Sequence, residues 1–174
     1  FIDNVHPNDE GYAYYNEVIC EFLASKLLYE NGPKSLKEKT LPQRLNDKLL
    51  DEAYMILSSE IDLSASQGWD FSNSAFSFLG TKYGGIIASS TPGSIFKTTF
   101  SGTAVGIFCL KGPDMGKISY SIDGATPKIY DAYRDSTNPK EFIIATDLSQ
   151  GEHTLEIKLL SDKNPASTDT KFVI

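Results

Sequence analysis

Lys117-Ile118-Ser119-Tyr120-Ser121-Ile122 alternates apolar and polar side chains and then stops on Asp123-Gly124. Period-two alternation puts Ile118, Tyr120 and Ile122 on one face of a strand. Asp-Gly supplies the positive φ angles that a tight antiparallel hairpin needs. Lys128-Ile129-Tyr130-Asp131-Ala132-Tyr133 follows as the returning partner. Moving upstream, Ala104–Leu110 is apolar on both faces, as a central strand would be. Ser94–Phe100 alternates up to Gly102, and Gly85–Ser89 is short and apolar. Downstream come Glu141–Ala145 and His153–Leu159, separated by Ser149-Gln150-Gly151, and then Lys171–Ile174. About eight short strands with frequent turn signals predict a mainly β protein, an antiparallel β-sandwich or jelly roll, over residues 51–174.

The opening part has a different texture. Tyr15, Val18, Ile19, Phe22, Leu23 and Leu27 recur at helical spacing and predict one amphipathic α-helix over Asp9–Tyr29. Asn8 or Asp9 caps it, and Asn31-Gly32-Pro33 stops it. Residues 1–33 thus form one unit. Residues 34–50, with Lys34, Lys37, Lys39, Pro42 and Asn46, read as a linker. Leu45, Leu49, Ala53 and Leu57 fall four apart, which gives 42–57 a rival helical reading; a short helical turn and then a strand over Tyr54–Leu63 is the expectation.

The 174 residues suit a single domain or a small domain with an appendage. Hydrophobic content of 40% and charged content of 22% are globular values. A net charge of −7 disfavours nucleic acid, whose phosphates want a basic face, and is compatible with neutral ligands such as glycans. No apolar run is long enough to span a bilayer. Cys20 is expected on a buried helix face and Cys109 in a buried strand, both as packed thiols. Two histidines and two cysteines far apart in sequence supply no tetrahedral metal site, and there is no glycine-rich phosphate loop, so no cofactor is expected. Asp62, Asp70 and Asp114 have no calcium-loop spacing.

The chemistry-bearing candidates are few. In Asp3-Asn4-Val5-His6-Pro7, a carboxylate three residues before an imidazole can hold Nδ1–H and leave Nε2 as a general base, with Pro7 stiffening the loop. Trp69, the single tryptophan, sits in the loop-like stretch Gln67–Phe71. Exposed, it would stack on a sugar face with Asp70 or Asn73 bonding hydroxyls; otherwise it is a lid on the sandwich core, the commoner role. Tyr130, Tyr133 and Arg134 alternate so that Tyr133 and Arg134 reach a strand end, as a glycan platform would require, although tyrosine is ordinary on strands. Phe76, Phe78 and Tyr83 flank a Ser/Gly-rich loop. His153, where a strand begins, is expected to cover a turn or bond a backbone carbonyl.

The block Asp3-x-x-His6-Pro7, followed by Asn8-Asp9-Glu10-Gly11-Tyr12, resembles the last sequence block of the SGNH (GDSL-type) esterases, a D-x-x-H-P loop entering the final helix of an α/β hydrolase domain. The resemblance implies that Asp3 orients His6 and that His6 activates a serine. Leu45-Asn46-Asp47 lacks the glycine of that family's Gly-x-Asn-Asp block and follows the histidine, and no Gly-Asp-Ser block is present. A base without a nucleophile makes no acyl-enzyme. The expectation is therefore that the sequence begins inside a hydrolase domain, that the helix is left over from it, and that a catalytic segment belongs upstream. An absent leader peptide then says nothing. The helix stripe must be covered by this chain, by another copy, or remain loose. Phe100-Ser101-Gly102, Ser121–Gly124 and Gly151-Glu152-His153-Thr154-Leu155 are similar to the jelly-roll accessory domains of carbohydrate esterases. Together these resemblances imply the carboxy-terminal fragment of a carbohydrate esterase or acylhydrolase, whose sandwich is a non-catalytic module with a glycan or esterified polysaccharide as partner. The alternative is part of an active serine esterase whose nucleophile lies on another segment. Either implies a secreted, periplasmic or cell-surface setting of bacterial type.

Overall fold

The computed structural model describes residues 6–27, 52–72 and 84–174. The linker reading of 34–50 and the residues Asp3, Asn73, Phe76, Phe78 and Tyr83 lie outside them. The chain divides into two units, Phe1–Leu45 and Asn46–Ile174.

In the first unit, α1 spans Asp9–Leu27. Asn8 is its N-cap: the Gly11 N–H donates to Asn8 Oδ1 at 3.0 Å, and the Tyr12 N–H to Asn8 O at 2.9 Å. Asp9 and Glu10 in the first turn and Lys26 in the last complement the helix dipole. Pro7 lies over the first turn, and a Cβ on Gly11 would stand 2.8 Å from the Pro7 Cβ. The apolar surface is broader than a single stripe. At 100° per residue, Tyr12, Ala13, Tyr14, Tyr15, Val18, Ile19, Cys20, Phe22, Leu23 and Ala24 spread over roughly three-quarters of the circumference, interrupted by Asn16, Ser25 and Lys26, and Glu10, Glu17 and Glu21 line the remaining strip. Phe22 is 60% exposed and Ile19 56%. Cys20 is exposed as well, against the expectation of a packed thiol, and its Sγ lies 3.6 Å from Asn16 Oδ1 one turn earlier.

The second unit is an antiparallel β-sandwich. Its strands are β1 (Asp70–Ser72), β2 (Ile86–Ser89), β3 (Ile95–Ser101), β4 (Val105–Lys111), β5 (Lys117–Ile122), β6 (Lys128–Asp131), β7 (Asn138–Ala145), β8 (Glu152–Leu159) and β9 (Phe172–Val173). They form sheets ordered β3-β8-β5-β6, β1-β2-β9 and β4-β7. Period two is visible in β8, where His153, Leu155, Ile157 and Leu159 are buried between exposed or half-buried neighbours. Leu155, Ile157 and Leu159 join Phe96, Ile118, Ile87, Phe172, Val173, Cys109 and Ile144 in one core. Each large side chain so buried contributes about 1.5–3 kcal/mol.

The expected strand over Tyr54–Leu63 is absent. That segment holds a short 3₁₀ turn at Ser58–Glu60, where the Glu60 carboxylate reaches back to the Leu57 N–H at 2.9 Å. Tyr54, Met55 and Ile56 are exposed and so have no sheet face to bury. The reading of Gln67–Phe71 as loop is corrected in part: Asp70–Ser72 is a strand against β2, and Gln67 bridges Ile95. β4 pairs with β7 and exposes Gly106 and Phe108, so it is not the doubly covered strand its composition suggested.

Asp123 and Gly124 adopt φ of 52° and 70°, and the Ala125 N–H closes on Ile122 O at 2.9 Å, the geometry of a type I′ turn. The β5–β6 ladder stops at Tyr120–Lys128, while the other edge of β5 stays paired with β8 as far as Ile122. At Gly116 an added side chain would meet backbone, which cannot turn aside. The Gly116 N–H donates to Lys171 O at 2.7 Å, and an added Cβ would lie 2.7 Å from the Thr170 carbonyl carbon and oxygen. Gly116→Ala is expected to cost about 1–3 kcal/mol, since backbone must yield. Urea denaturation checks it, and an unchanged midpoint would rule out the close approach.

Candidate functional site

After β6 the chain turns across one end of the sandwich. The Gly112 N–H donates to Ala132 O and the Arg134 N–H to Gly112 O, each at 3.1 Å, which ties this crossing to the end of β4. Asp131 fixes the turn: Oδ1 accepts the Tyr133 N–H at 2.9 Å and Oδ2 accepts Asn164 Nδ2 at 2.9 Å. The Tyr133 hydroxyl donates to Asp135 Oδ1 at 2.8 Å, which holds its pKa above the usual phenol value. Arg134 is exposed beside it. A Cβ placed on Gly112 would meet Thr137 Oγ1 at 3.2 Å and Asp114 Oδ1 at 3.3 Å, so a hydroxyl and a carboxylate also converge here. The rim thus combines a phenol, a guanidinium, carboxylates and a hydroxyl. Such a set can bond sugar hydroxyls.

Tyr130, the third member of the platform read from the sequence, belongs to the wall beneath. Its ring stacks on Phe142 with centroids 4.0 Å apart and planes 15° from parallel. The hydroxyl is 3.8 Å from Cys109 Sγ, and Lys111 Nζ lies 5.3 Å from the ring centroid. Burial raises the pKa of both the Tyr130 phenol and the Cys109 thiol. Neither is a nucleophile at neutral pH.

Trp69 is buried, with 5% of its surface exposed, and packs against Phe96 and Phe172 at centroid distances of 5.6 and 6.3 Å. It is a core residue and presents no stacking face to a ligand. Asp70 is exposed on β1 opposite Ala88. Asp62 bonds the Ser64 N–H and hydroxyl, both at 2.8 Å, and Asp114 faces Lys171 Nζ at 3.5 Å. Among the described residues no three His, Cys, Asp or Glu side chains come together as metal ligands. His6 is exposed just before α1, whereas its expected orienter Asp3 lies outside the described residues.

The site that spacing did not reveal is built on His153. Nδ1 lies 2.6 Å from Asp123 Oδ2, thirty residues away, and Nε2 lies 2.8 Å from the backbone oxygen of Ser149. Asp123 Oδ1 also accepts the Thr154 N–H at 2.8 Å. By residue type Ser149, His153 and Asp123 imitate a hydrolase triad. By geometry they do not, because Nε2 faces a carbonyl and must donate to it, which leaves no lone pair for a serine proton. The hydrogen bond to Asp123, then that to Ser149 O, raises the imidazole pKa, while the Asp123 carboxyl is held below its usual range. The recoverable signal was Asp123 in a turn and His153 at a strand start. The β5–β8 pairing that joins them was not readable.

Two shallow depressions flank this region, of about 170 Å³ beside Ile122, Ala125 and Leu148, and about 90 Å³ beside Ser119, Ser121 and Glu156.

No curated protein matches the chain. Among solved structures it is similar to a two-domain esterase active on acetylated mannans, with TM-score 0.70 and 18% identity over 98% of this chain and 48% of that one. The same esterase co-crystallised with mannopentaose matches with TM-score 0.68 and 18% identity, over 98% of this chain and 47% of that one. The chain therefore spans about half the length of these structures, and the likeness is one of fold. Residues 72–173, the greater part of the sandwich, match the family described as carbohydrate esterase 2 N-terminal, and the chain belongs to that family.

Proposed function

We propose that this chain is the carboxy-terminal part of a carbohydrate esterase in which the sandwich is a non-catalytic accessory module that holds glycan at the Tyr133–Arg134 rim. The observation that carries the reading is the union, in one chain, of a D-x-x-H-P opening and a sandwich of the carbohydrate esterase 2 N-terminal family. In this reading the domains are 1–33, the end of a hydrolase domain, 34–50, a linker, and 51–174, the accessory module. The broad apolar surface of α1 supports it, because a helix apolar on most sides is one meant to be enclosed by a larger body. An esterified polysaccharide, of which acetylated mannan is the first to test, would be held at the rim through its hydroxyls. The parent would act outside the cytoplasm, where such polymers are found.

The second reading is that Asp3 and His6 serve an active site whose serine is on a segment outside these residues. The order of the opening block supports it, since the orienting carboxylate, the imidazole and the helix entry follow one another at the required spacing.

Calorimetric titration of the chain with soluble acetylated mannan tests the glycan rim. Arg134→Ala and Tyr133→Phe are expected to weaken binding, the first by about tenfold, which is about 1.4 kcal/mol. Trp69 fluorescence is expected to stay nearly constant, because the indole is buried and presents no face to the sugar. Binding unaffected by both substitutions would remove the rim from the proposal, and no heat with any polysaccharide would leave the module structural.

A further inference from the structure

His153 points inward from the first turn of β8 and only 6% of its surface is exposed. The groups that meet its ring come from three other segments. Asp123 reaches Nδ1 from the β5–β6 turn, the Ser149 backbone oxygen reaches Nε2 from the β7–β8 loop, and the Phe100 ring from β3 lies at 5.6 Å and 33°. Of the charged residues near it, Glu152 is next to it on β8 and points to the opposite face, Asp147 belongs to the same β7–β8 loop, and Asp123 is the one in ring contact. Both ring nitrogens thus face acceptors. Two N–H groups on one imidazole make it the imidazolium.

We propose that the charged His153 ring is a latch that pins the Ser149–Gly151 loop to the Asp123–Gly124 turn, and that loss of its proton frees the Ser149 side and opens the rim of the neighbouring depression.

The direction of release follows from the two acceptors. The carboxylate of Asp123 holds the Nδ1 proton more strongly than a neutral carbonyl holds the one on Nε2. Deprotonation therefore takes the Nε2 proton, and the bare nitrogen lone pair faces the Ser149 oxygen at 2.8 Å. That contact becomes repulsive. Asp123 stays tied to β8 through the Thr154 N–H and through its own N–H to Thr154 O at 2.9 Å. The Ser149 loop is tied to the β3–β4 connection by the Gly102 N–H to Gly151 O at 2.9 Å and the Leu148 N–H to Thr103 O at 3.0 Å, the two bonds that report its opening. Leu148 also lines the 170 Å³ depression together with Ile122, Ala125 and Ile144, so loop release widens an apolar recess. The ring pKa is raised, so the latch is fully closed below the unfolded value of about 6.5 and is lost as pH rises through the folded one. At the acid end, protonation of Asp123, whose pKa is lowered, opens it from the other side. This device does not depend on glycan binding.

Two-bond ¹H–¹⁵N spectra of the whole chain, recorded across pH, test it together with amide exchange corrected for intrinsic rates. At pH 6 the His153 ring is expected to show both nitrogens protonated. Above its transition the expected form is the Nδ1–H tautomer, with Leu148 and Gly102 amides losing protection by about tenfold on the same titration while Thr154 keeps its own. In His153→Gln the protection of Leu148 and Gly102 is expected to become independent of pH between 6 and 9. A neutral ring at pH 6, or loop protection that does not follow the ring, overturns the proposal. Should His153→Gln fail to fold, the ring spectra of the unaltered chain decide it alone.

Discussion

Trp69→Ala is expected to destabilise the sandwich by about 3–5 kcal/mol, the cost of deleting a buried aromatic side chain from a core that collapses only in part. Trp69 stands between Phe96 of β3 and Phe172 of β9, in tilted and edge-on contact with them. Its removal therefore leaves a void between strands of two sheets. Trp69→Phe is expected to cost far less than alanine, and less than the loss of ring area alone implies. The reason is that the indole Nε1–H is buried with no hydrogen-bond partner among the described residues. Such an orphan donor costs about 1–3 kcal/mol, which phenylalanine recovers. Because Trp69 is the single tryptophan, far-ultraviolet circular dichroism in urea is the measurement for both variants. A Trp69→Ala chain as stable as the parent would return this residue to the surface and to the sugar-stacking reading.

The fate of Trp69 shows what kind of information the sequence carried. Alternation and turn chemistry located β2 to β9 because each depends on neighbours one or two residues apart, and Lys117–Ile122 was bounded to the residue. Trp69 has no such local signature: exposure is decided by Phe96 and Phe172, which are 27 and 103 positions later. The Asp123–His153 contact failed to show for the same reason, since it needs the β5–β8 register. Tyr133 and Arg134 were placed together at a strand end by adjacency, whereas the supports beneath them, Gly112 and Asn164, come from remote loops. The strand expected over Tyr54–Leu63 failed because apolar residues with no sheet to cover gain nothing from extended pairing.

The largest effect on activity is expected at His6. The chain by itself should hydrolyse p-nitrophenyl acetate no faster than its His6→Ala variant, since its sequence holds no Gly-Asp-Ser nucleophile block and a general base alone forms no acyl-enzyme. Restoring the upstream segment, with the Gly-Asp-Ser block we propose for it, should produce turnover. In that longer protein His6→Ala is expected to lower kcat by roughly 10³–10⁴-fold or more with KM little changed, the pattern of a group needed only in the transition state. Asp3→Asn should fall in the same range, because an amide at that place holds the wrong tautomer of the imidazole. A merely structural role is separable on stability. His6 is exposed before α1, so the urea midpoint of His6→Ala, measured beside its turnover, tells a lost structural contact from a lost catalytic group. Turnover by the isolated chain that His6→Ala abolishes would place the attacking hydroxyl within these 174 residues and end the split-site reading. Turnover of the longer protein that survives His6→Ala would instead remove the opening block from catalysis. In that outcome α1 keeps its part, because its apolar girdle asks for enclosure whether or not the imidazole ahead of it moves a proton.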